Sequence, residues 1–310
     1  MALRRRSLRW LVALGISTAR AARLLQIPDI HGDIEVMKKA LALVQPIAPS
    51  DKLVFTGDLV DRGPFPQECY ELSERLAQDH EVTRLIGNHE WVNLLGVSEG
   101  SLFAPYVPKE DLASFGGWGQ RMHAFSRDGD LGKLIRMGFD VIALEELPSD
   151  PRSRTLFVHA GISLRTMKRY GSVDAIKDAG KKMLLDDNLE TELLDEILQT
   201  RHLAEANELR VCPEVDEVLQ IAGAERLVVG HTPTVMVGGQ VGKPLVRCDG
   251  RLLLTDVAMS RWMGGGMPSA LTIETDDDTG RLARIFFRYG RGEELEVPIS
   301  EALNEYLPEL

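Results

Sequence analysis

Side chains that bind metal ions recur at five points along the chain, each directly after an apolar run. They are Asp29, His31, Asp58, Asn88, His159 and His231. Four of the seven histidines of the sequence fall within these short segments, namely His31, His89, His159 and His231. A single aspartate after a strand is usually a turn residue or a helix cap. The recurrence of carboxylate, amide and imidazole groups at five such junctions instead indicates one shared site.

The chemistry that these side chains support is metal-assisted hydrolysis. Imidazole and carboxylate ligands suit zinc, iron or manganese better than magnesium alone. The ligands are too many for one tetrahedral zinc ion and are enough for two ions that share a bridging carboxylate. A water between two such ions becomes hydroxide near neutral pH. These five segments contain no serine or cysteine that could serve as a nucleophile, and no cysteine stands beside one of these histidines.

Three strand-to-loop units must position the first ligands. Segments 23–33, 51–63 and 81–91 each read as an apolar strand that runs into a loop, with helical spacing in the stretches between them. Asp29, Asp58 and Asn88 are 29 and 30 residues apart, which is the length of a strand–helix–strand unit. The three loops are therefore predicted to lie side by side at the carboxyl edge of a parallel sheet, where ligands bind in such sheets.

The second half of the chain is predicted to add strands at residues 154–161, 225–232, 251–260, 269–276 and 283–290. Residues 91–154 mix glycines, prolines, aromatic and charged residues, and are predicted to form a helical and loop insertion over the site. No stretch resembles a linker, so residues 22–300 are predicted to be one catalytic domain of two halves. Residues 301–310 are then a C-terminal tail.

Composition excludes several classes of protein. The 310 residues, 44% of them hydrophobic, are enough for one large domain or two small ones with a substantial core. A net charge of −11 argues against a nucleic-acid partner. No apolar run approaches the roughly 20 residues of a membrane helix, so no membrane insertion of the mature domain is expected. The number of cysteines is odd, and all three are predicted to be buried or idle thiols without a disulfide framework. They are Cys69, Cys212 and Cys248.

The N-terminal residues differ from the rest of the chain. Residues 1–26 contain six arginines and no acidic residue, with a short apolar stretch at 10–16 and Ala-Arg-Ala at 19–21. This pattern is typical of a secretory or organellar targeting peptide, and a helix without a targeting role is the alternative. Residues 1–21 are therefore set apart as a leader, and the location of the protein stays open between an organelle, secretion and the cytoplasm.

Five ordered motifs give the sequence a family resemblance. "DIHGD", "GDLVDRG", "GNHE", "VHAG" and "VGHT" resemble the PPP-type branch of the metallophosphoesterases over most of residues 25–260. "LQTRHLAE" at 198–205 and "LLTDVAMSRWMGGGMPSALTIE" at 253–274 further resemble the Shewanella-like protein phosphatases, which usually have "HGG" where this chain has His159-Ala160-Gly161. The resemblance implies an α/β calcineurin-like metallophosphoesterase fold, with a central β-sandwich flanked by helices in four α/β/β/α layers.

The resemblance also implies a role for each motif residue, beginning with two metal sites. The first site would be formed by Asp29, His31 and Asp58. The second would be formed by Asp58, Asn88, His159 and His231. Asp58 would thus bridge two divalent ions, which the family implies to be manganese or an iron and zinc pair. Glu90 is predicted to be structural.

The remaining motif residues would act on the phosphate and on the leaving group. His89 would be the general acid that protonates the leaving oxygen, oriented by Asp61, because a neighbouring carboxylate favours a charged imidazolium. Arg62 and Arg201 would bind the phosphate oxygens together with Asn88, since a guanidinium fork matches their geometry.

Three functions are compatible with the resemblance. The first is a phosphoprotein phosphatase that acts on phosphotyrosine, or on phosphoserine and phosphothreonine, through attack of a metal-bridging hydroxide. The second is a hydrolase of dinucleoside polyphosphates or other small phosphoesters, but those enzymes often read "GDLVNRG" whereas this chain has Asp61. The third is a silent phosphopeptide-binding module, which the complete ligand set does not favour.

Substrate choice is expected to depend on the insertion at 91–154, because the metal chemistry does not distinguish phosphoesters. Its aromatic residues either line a pocket for a phenolic leaving group or pack into the core or a lid. They are Phe103, Tyr106, Phe115 and Trp118. The glycine run at 264–266 either borders the site or forms a tight hairpin.

Overall fold

The computed structural model of the chain describes residues 22–299. The predicted leader at 1–21 and tail at 301–310 lie outside the described residues. The strands are β1 Arg23–Ile27, β2 Lys52–Phe55, β3 Glu81–Arg84, β4 Ile142–Leu147, β5 Asp150–Val158, β6 Arg226–Val229, β7 Leu245–Arg247, β8 Leu252–Leu254, β9 Ser269–Thr275, β10 Leu282–Tyr289 and β11 Glu293–Glu296.

Helices connect and cover these strands. They are α1 Ile34–Leu43, α2 Pro66–Asp79, α3 Asn88–Leu95, α4 Lys109–Phe115, α5 Trp118–Phe125, α6 Asp130–Gly138, α7 Leu164–Tyr170, α8 Val173–Leu185, α9 Glu192–Gln199, α10 His202–Glu205 and α11 Glu208–Ala222. Short 3₁₀ turns lie at Ala104–Tyr106, Thr234–Val237, Cys248–Gly250 and Arg261–Met263. Within residues 22–299, no helix is both long enough and apolar enough to cross a membrane.

The strands form two mixed sheets whose parallel parts carry the site. The first sheet has the order β11-β10-β9-β1-β2-β3, and the second has the order β4-β5-β6-β8-β7. Strands β1, β2 and β3 run parallel to one another, as do β5, β6 and β8. The predicted parallel arrangement of the first three strand-to-loop units is therefore confirmed, and their loops emerge at one edge.

The two sheets pack face to face, and helices cover their outer faces. Leu24 and Val228 lie in a buried cluster built from strand residues of both sheets. Their neighbours Leu25, Leu227 and Val229 point the other way, into a cluster shared with the helices. Since successive side chains of a strand point to opposite faces, these strands are buried on both sides. The predicted four-layer fold with a central β-sandwich is thus confirmed.

The segment predicted as an insertion, residues 91–154, is helical only in its first part. Helices α3 to α6 occupy it up to Gly138, but β4 and the start of β5 follow as an antiparallel pair in the second sheet. Strand β4 lies at the edge of that sheet and carries Glu145 and Glu146. Pro151 is the second residue of β5. Charges and proline are typical of edge strands, and they hide the strand pattern in the sequence.

The prediction that the chain has no disulfide is wrong. Cys212 of α11 and Cys248, which follows β7, form a disulfide with their Cα atoms 5.3 Å apart. The two cysteines are 36 residues apart and meet only because α11 packs back onto the second sheet, which no local motif reveals. Cys69 is a free, buried thiol, as predicted.

We expect the disulfide to stabilise the second half of the molecule. Closing a loop of this length restricts the unfolded chain and contributes about 3–4 kcal/mol to the free energy of unfolding. Reduction should therefore lower the thermal midpoint by roughly 5–10 °C. Differential scanning fluorimetry with and without reductant measures this shift. The Cys212→Ser/Cys248→Ser double variant is the control, and a reductant-dependent shift that persists in it would contradict the assignment.

Candidate dinuclear metal centre

The predicted ligands converge at the carboxyl ends of the parallel strands of both sheets. A cavity of about 170 Å³ opens there. The predicted site residues that line it are His31, Asp58, Arg62, Asn88, His89, Arg201 and His231. Asp29, Asp61 and His159 lie beneath the cavity floor and are almost completely buried. The structure thus brings together every residue that the sequence motifs singled out.

Asp58 belongs to two groups of possible metal ligands. One group consists of His31, Asp58 and His89, and the other of Asp58, His159 and His231. The ligand atoms within each group lie within 4.8 Å of one another. Asp58 Oδ2 is 3.5 Å from His31 Nε2, while Asp58 Oδ1 is 3.6 Å from His159 Nε2. The two oxygens of this carboxylate therefore each lie near a different imidazole, which is the arrangement that a bridging ligand requires.

The atoms around Asn88 fit a metal ion. Asn88 Oδ1 lies 3.1 Å from His159 Nε2 and 3.0 Å from His231 Nδ1. Burial lowers the pKa of His159 to about 3, so its ring is neutral at pH 7. Its Nδ1 is the protonated nitrogen because it lies 2.8 Å from the Thr56 carbonyl, to which it donates. The Nε2 lone pair then points at an oxygen that also lacks a proton, and a cation bound between them relieves this contact.

Buried carboxylates make up the other half of the centre. Asp29 Oδ1 accepts the backbone N–H of His231 at 3.0 Å, but its Oδ2 is buried without a hydrogen-bond partner. Burial raises the pKa of Asp29 well above its usual value, and the nearby Asp256 carboxylate raises it further. Burial and Asp29 likewise raise the pKa of Asp58. Buried carboxylates of like charge are costly without a counter-ion, so these residues also fit a divalent cation.

Asp256 is a buried carboxylate near Asp29 to which the sequence motifs assigned no role, although it lies within the family-like segment 253–274. It follows β8 and is 1% exposed, with Oδ1 accepting the backbone N–H of Ala258 and Oδ2 unpaired. Burial raises its pKa to about 6. The signal was present in the sequence, because Asp256 follows the apolar run "LLLT" just as Asp58 follows "KLVFTG".

The backbone at the site is strained and tightly packed. Nine non-glycine residues within 22–299 have positive φ, and five of them are predicted site residues. These five are His31, Asp58, Asp61, Arg62 and His231. Glycine is required beside them, since a Cβ at Gly87 would lie 2.1 Å from Asp58 Oδ1 and one at Gly230 would lie 2.2 Å from Asp29 Oδ2. Ala160, which replaces the usual glycine of the family, has no positive φ and is accommodated without strain.

His89 and Asp61 form a hydrogen-bonded pair beside the ligands. His89 Nδ1 lies 2.8 Å from Asp61 Oδ2, and Asp61 is fully buried behind the ring. Asn93, one helical turn further along α3, donates to the same Asp61 oxygen at 3.0 Å and to the His89 carbonyl at 2.8 Å. The ring is thereby fixed with its Nδ1 turned toward Asp61.

Two arginines face the cavity. Arg62 lies 4.6 Å from the ring centre of Tyr106 and donates its backbone N–H to the Tyr106 carbonyl at 2.5 Å. Arg201 donates to the His231 carbonyl at 3.3 Å. Arg62 Nε is buried without a hydrogen-bond partner among residues 22–299, and both guanidinium groups line the cavity, where they can bind an anion.

Of the four aromatic residues in the predicted insertion, two lie beside the site and two pack into the core. The ring centres of Phe103 and Tyr106 lie 6.3 and 5.5 Å from that of His89. Phe115 instead packs against Phe125, and Trp118 packs against the main core. Near the glycine run, Met263 lines the cavity, so that segment borders the site.

The segment Gly96–Gly100 reads Gly-X-Ser-X-Gly, the pattern of a serine nucleophile. It follows helix α3 and lies in a loop, whereas a nucleophile elbow is a turn from a strand into a helix. Ser98 is therefore not in the setting of a nucleophile.

Comparisons with known proteins agree with this geometry. The family model of calcineurin-like phosphoesterases matches residues 22–235. An uncharacterized protein of Schizosaccharomyces pombe is 29% identical over 291 residues, covering 84% of this chain and 80% of that protein. Shewanella-like protein phosphatase 1 of Plasmodium berghei is 26% identical over 295 residues, covering 85% of this chain and 74% of that protein.

A solved structure shares the fold. A cold-active protein-tyrosine phosphatase of a psychrophilic Shewanella species superposes with a TM-score of 0.66 at 19% identity, covering 89% of this chain and 80% of that chain. The family model spans more than half of this chain, and the family motifs meet in one cavity. The chain belongs to the calcineurin-like phosphoesterase family, with homologues named Shewanella-like protein phosphatases.

Proposed function

We propose that the protein is a dinuclear-metal phosphoprotein phosphatase that hydrolyses phosphomonoesters of tyrosine, or of serine and threonine. The observation that carries this proposal is one cavity shared by the Asp58 ligand groups, two arginines and the His89–Asp61 pair. Hydrolysis of phosphate monoesters is among the slowest uncatalysed reactions, with enhancements up to ~10²¹. Such a barrier requires charge stabilisation and proton transfer at the same place.

The proposal assigns the metal ligands as follows. Asp29, His31 and Asp58 would hold one ion, and Asp58, Asn88, His159 and His231 would hold the other. The mixture of imidazole, carboxylate and amide oxygen suits manganese, or an iron and zinc pair. When bound, two such ions neutralise phosphate charge and supply a water nucleophile that is deprotonated near neutral pH.

The chain's own side chains bind the phosphate. Arg62 and Arg201 offer planar guanidinium groups that pair with the equatorial oxygens, where charge accumulates in the transition state. Asn88 directs Oδ1 toward the two histidines, so its amide N–H groups remain to donate to the phosphate. The three residues hold the group in one orientation relative to the leaving oxygen.

His89 provides the proton for the leaving group. Its Nδ1 is committed to Asp61, so Nε2 is the nitrogen that donates to the leaving oxygen. Asp61 keeps the ring in one orientation through this hydrogen bond. Glu90 serves a structural role in this scheme, because its carboxylate accepts only backbone N–H groups and the Tyr70 hydroxyl.

A protein substrate is favoured by the rim of the cavity. The cavity holds little more than a phosphoryl group and the end of a side chain, and Met236 and Met263 are among its lining residues. Met236 is 64% exposed, and Tyr106, which packs against Arg62 of the cavity, is 37% exposed. Exposed apolar side chains beside a polar pocket are typical of a surface that contacts another polypeptide. Residues 22–300 act as one catalytic domain in this proposal, with the helical segment over the site selecting the substrate.

The bridging role of Asp58 predicts the loss of both metal ions in Asp58→Asn. An amide offers one neutral oxygen in place of two charged ones, so neither ion keeps its shared ligand. Inductively coupled plasma mass spectrometry of the reconstituted protein measures the metal content. The matched control is Asp33→Asn, because Asp33 is also buried and near the site but pairs with Arg261. An Asp58→Asn protein that still holds two ions would refute the bridge.

The general-acid role of His89 predicts that His89→Asn lowers kcat by roughly 10²–10⁴. The variant should keep two metal ions, and loss of an ion would reassign His89 as a ligand of the group it shares with His31 and Asp58. His123→Asn, which changes an exposed histidine of α5, should leave both readouts unchanged.

Substrate class is tested by a parallel assay of the metal-reconstituted protein. Phosphotyrosine, phosphoserine and phosphothreonine peptides are compared with diadenosine tetraphosphate under the same conditions, and phosphate release is measured. We expect release from at least one phosphopeptide, because the cavity admits a single phosphoryl group. Hydrolysis of the dinucleotide alone would overturn the phosphoprotein proposal.

A further inference from the structure

A fully buried arginine lies behind the His89–Asp61 pair. Arg121 of α5 is 1% exposed and is the largest fully buried side chain within residues 22–299. Its guanidinium donates to three acceptors on different parts of the chain: Asp61 Oδ1 at 2.7 Å, Asn93 Oδ1 at 2.5 Å and Asp111 Oδ2 at 3.1 Å. Its Cζ also lies 5.1 Å from the ring centre of Phe125.

The two carboxylate oxygens of Asp61 have different hydrogen-bond partners. Oδ1 is occupied by Arg121, which leaves Oδ2 to face His89 Nδ1. Arg121 also fixes the amide of Asn93, because an Asn93 oxygen that accepts from Arg121 turns the Asn93 nitrogen toward Asp61 Oδ2. The guanidinium therefore orients the Asp61–His89 hydrogen bond by two routes. One is its own bond to Asp61, and the other runs through the amide of Asn93.

Stability alone gives little reason for an arginine at this position. Burying a guanidinium costs free energy that the ion pairs only partly offset, and buried ion pairs replaced by apolar residues often leave proteins equally stable. Phe115 and Phe125 already supply an apolar setting around the side chain. A planar fork that reaches three acceptors is, by contrast, well suited to hold a carboxylate in one rotamer.

We infer that Arg121 is a positioning residue for the general acid: it holds Asp61, and through Asp61 the ring of His89, in the orientation that protonates the leaving oxygen. The inference rests on the proposed role of His89. It places part of the catalytic apparatus on α5, in the helical segment between β3 and β4, which sequence analysis assigned only to substrate choice.

The test compares leaving groups, because a misplaced general acid matters most when the leaving oxygen is basic. Phenyl phosphate releases an alcohol with a pKa of about 10, like tyrosine, whereas 4-nitrophenyl phosphate releases a far more acidic one that needs little protonation. Arg121→Met should lower kcat for phenyl phosphate by about tenfold or more relative to the loss for 4-nitrophenyl phosphate. Arg121→Lys should recover part of the difference, since it restores the cation but not the fork.

A matched control is available in the neighbouring helix. Arg136 of α6 is also buried, and its guanidinium bonds to Asp187 and to backbone carbonyls but not to Asp61. Arg136→Met should change the two substrates equally. Both variants should bind two metal ions, as measured by mass spectrometry, which separates a positioning role from damage to the metal centre.

Arg121→Met leaves two carboxylates without their partner, so its fold must be checked by circular dichroism. If it does not fold, Arg121→Met/Asp111→Asn replaces it, because burial raises the pKa of Asp111 to about 7 and an amide resembles the neutral acid. Equal losses for both substrates in the folded variant would overturn the inference alone, provided that His89→Asn shows the leaving-group dependence. If His89→Asn shows none, the general-acid proposal fails and this inference fails with it.

Discussion

One buried carboxylate, that of Glu90, fixes the two loops on which the rest of the site depends. It accepts backbone N–H groups of Asp58, Leu59 and Gly87, each at 2.8 Å, and the Tyr70 hydroxyl at 3.0 Å. The loop after β2 and the start of α3 are thereby joined. Since backbone N–H groups left unpaired in a buried site are costly, this carboxylate makes the close approach of the two loops possible. Asp58, the proposed bridging ligand, and His89, the proposed general acid, lie directly beside these bonds.

The site is built at the expense of local stability. Each residue with left-handed backbone costs on the order of 1–2 kcal/mol, and five such residues meet here beside buried carboxylates of like charge. The two sheets, buried on both faces, supply the stability that holds these strained loops in place. The proposed ligands are thus prearranged by the fold, and bound cations would remove the repulsion between the buried carboxylates. The proposed catalysis and metal binding would depend on the same strained geometry.

The sequence predicts the fold and the site where chemistry and local periodicity coincide. The spacing of Asp29, Asp58 and Asn88 predicts parallel strands, and the motifs name seven of the ten residues that line the cavity. Contacts that depend on the packing of distant segments could not be predicted from the sequence. Arg121 is one more arginine on an amphipathic helix until α5 turns it toward Asp61, and Cys212 meets Cys248 only after α11 folds back. Asp256 could have been found, since it repeats the pattern of an acid after an apolar run.

The helical segment between β3 and β4 contacts residues of the proposed active site at two separate points. Tyr106 holds the backbone and the guanidinium of Arg62, while Arg121 of α5 holds Asp61. This segment therefore cannot be exchanged without changing the contacts to Arg62 and Asp61. A chimera could be made with the corresponding segment of a relative in order to change the substrate. Such a chimera would also replace the contacts that hold Arg62 and Asp61 in the proposed active site. Divergence in specificity within such a fold has to proceed while these two anchors are conserved or replaced together.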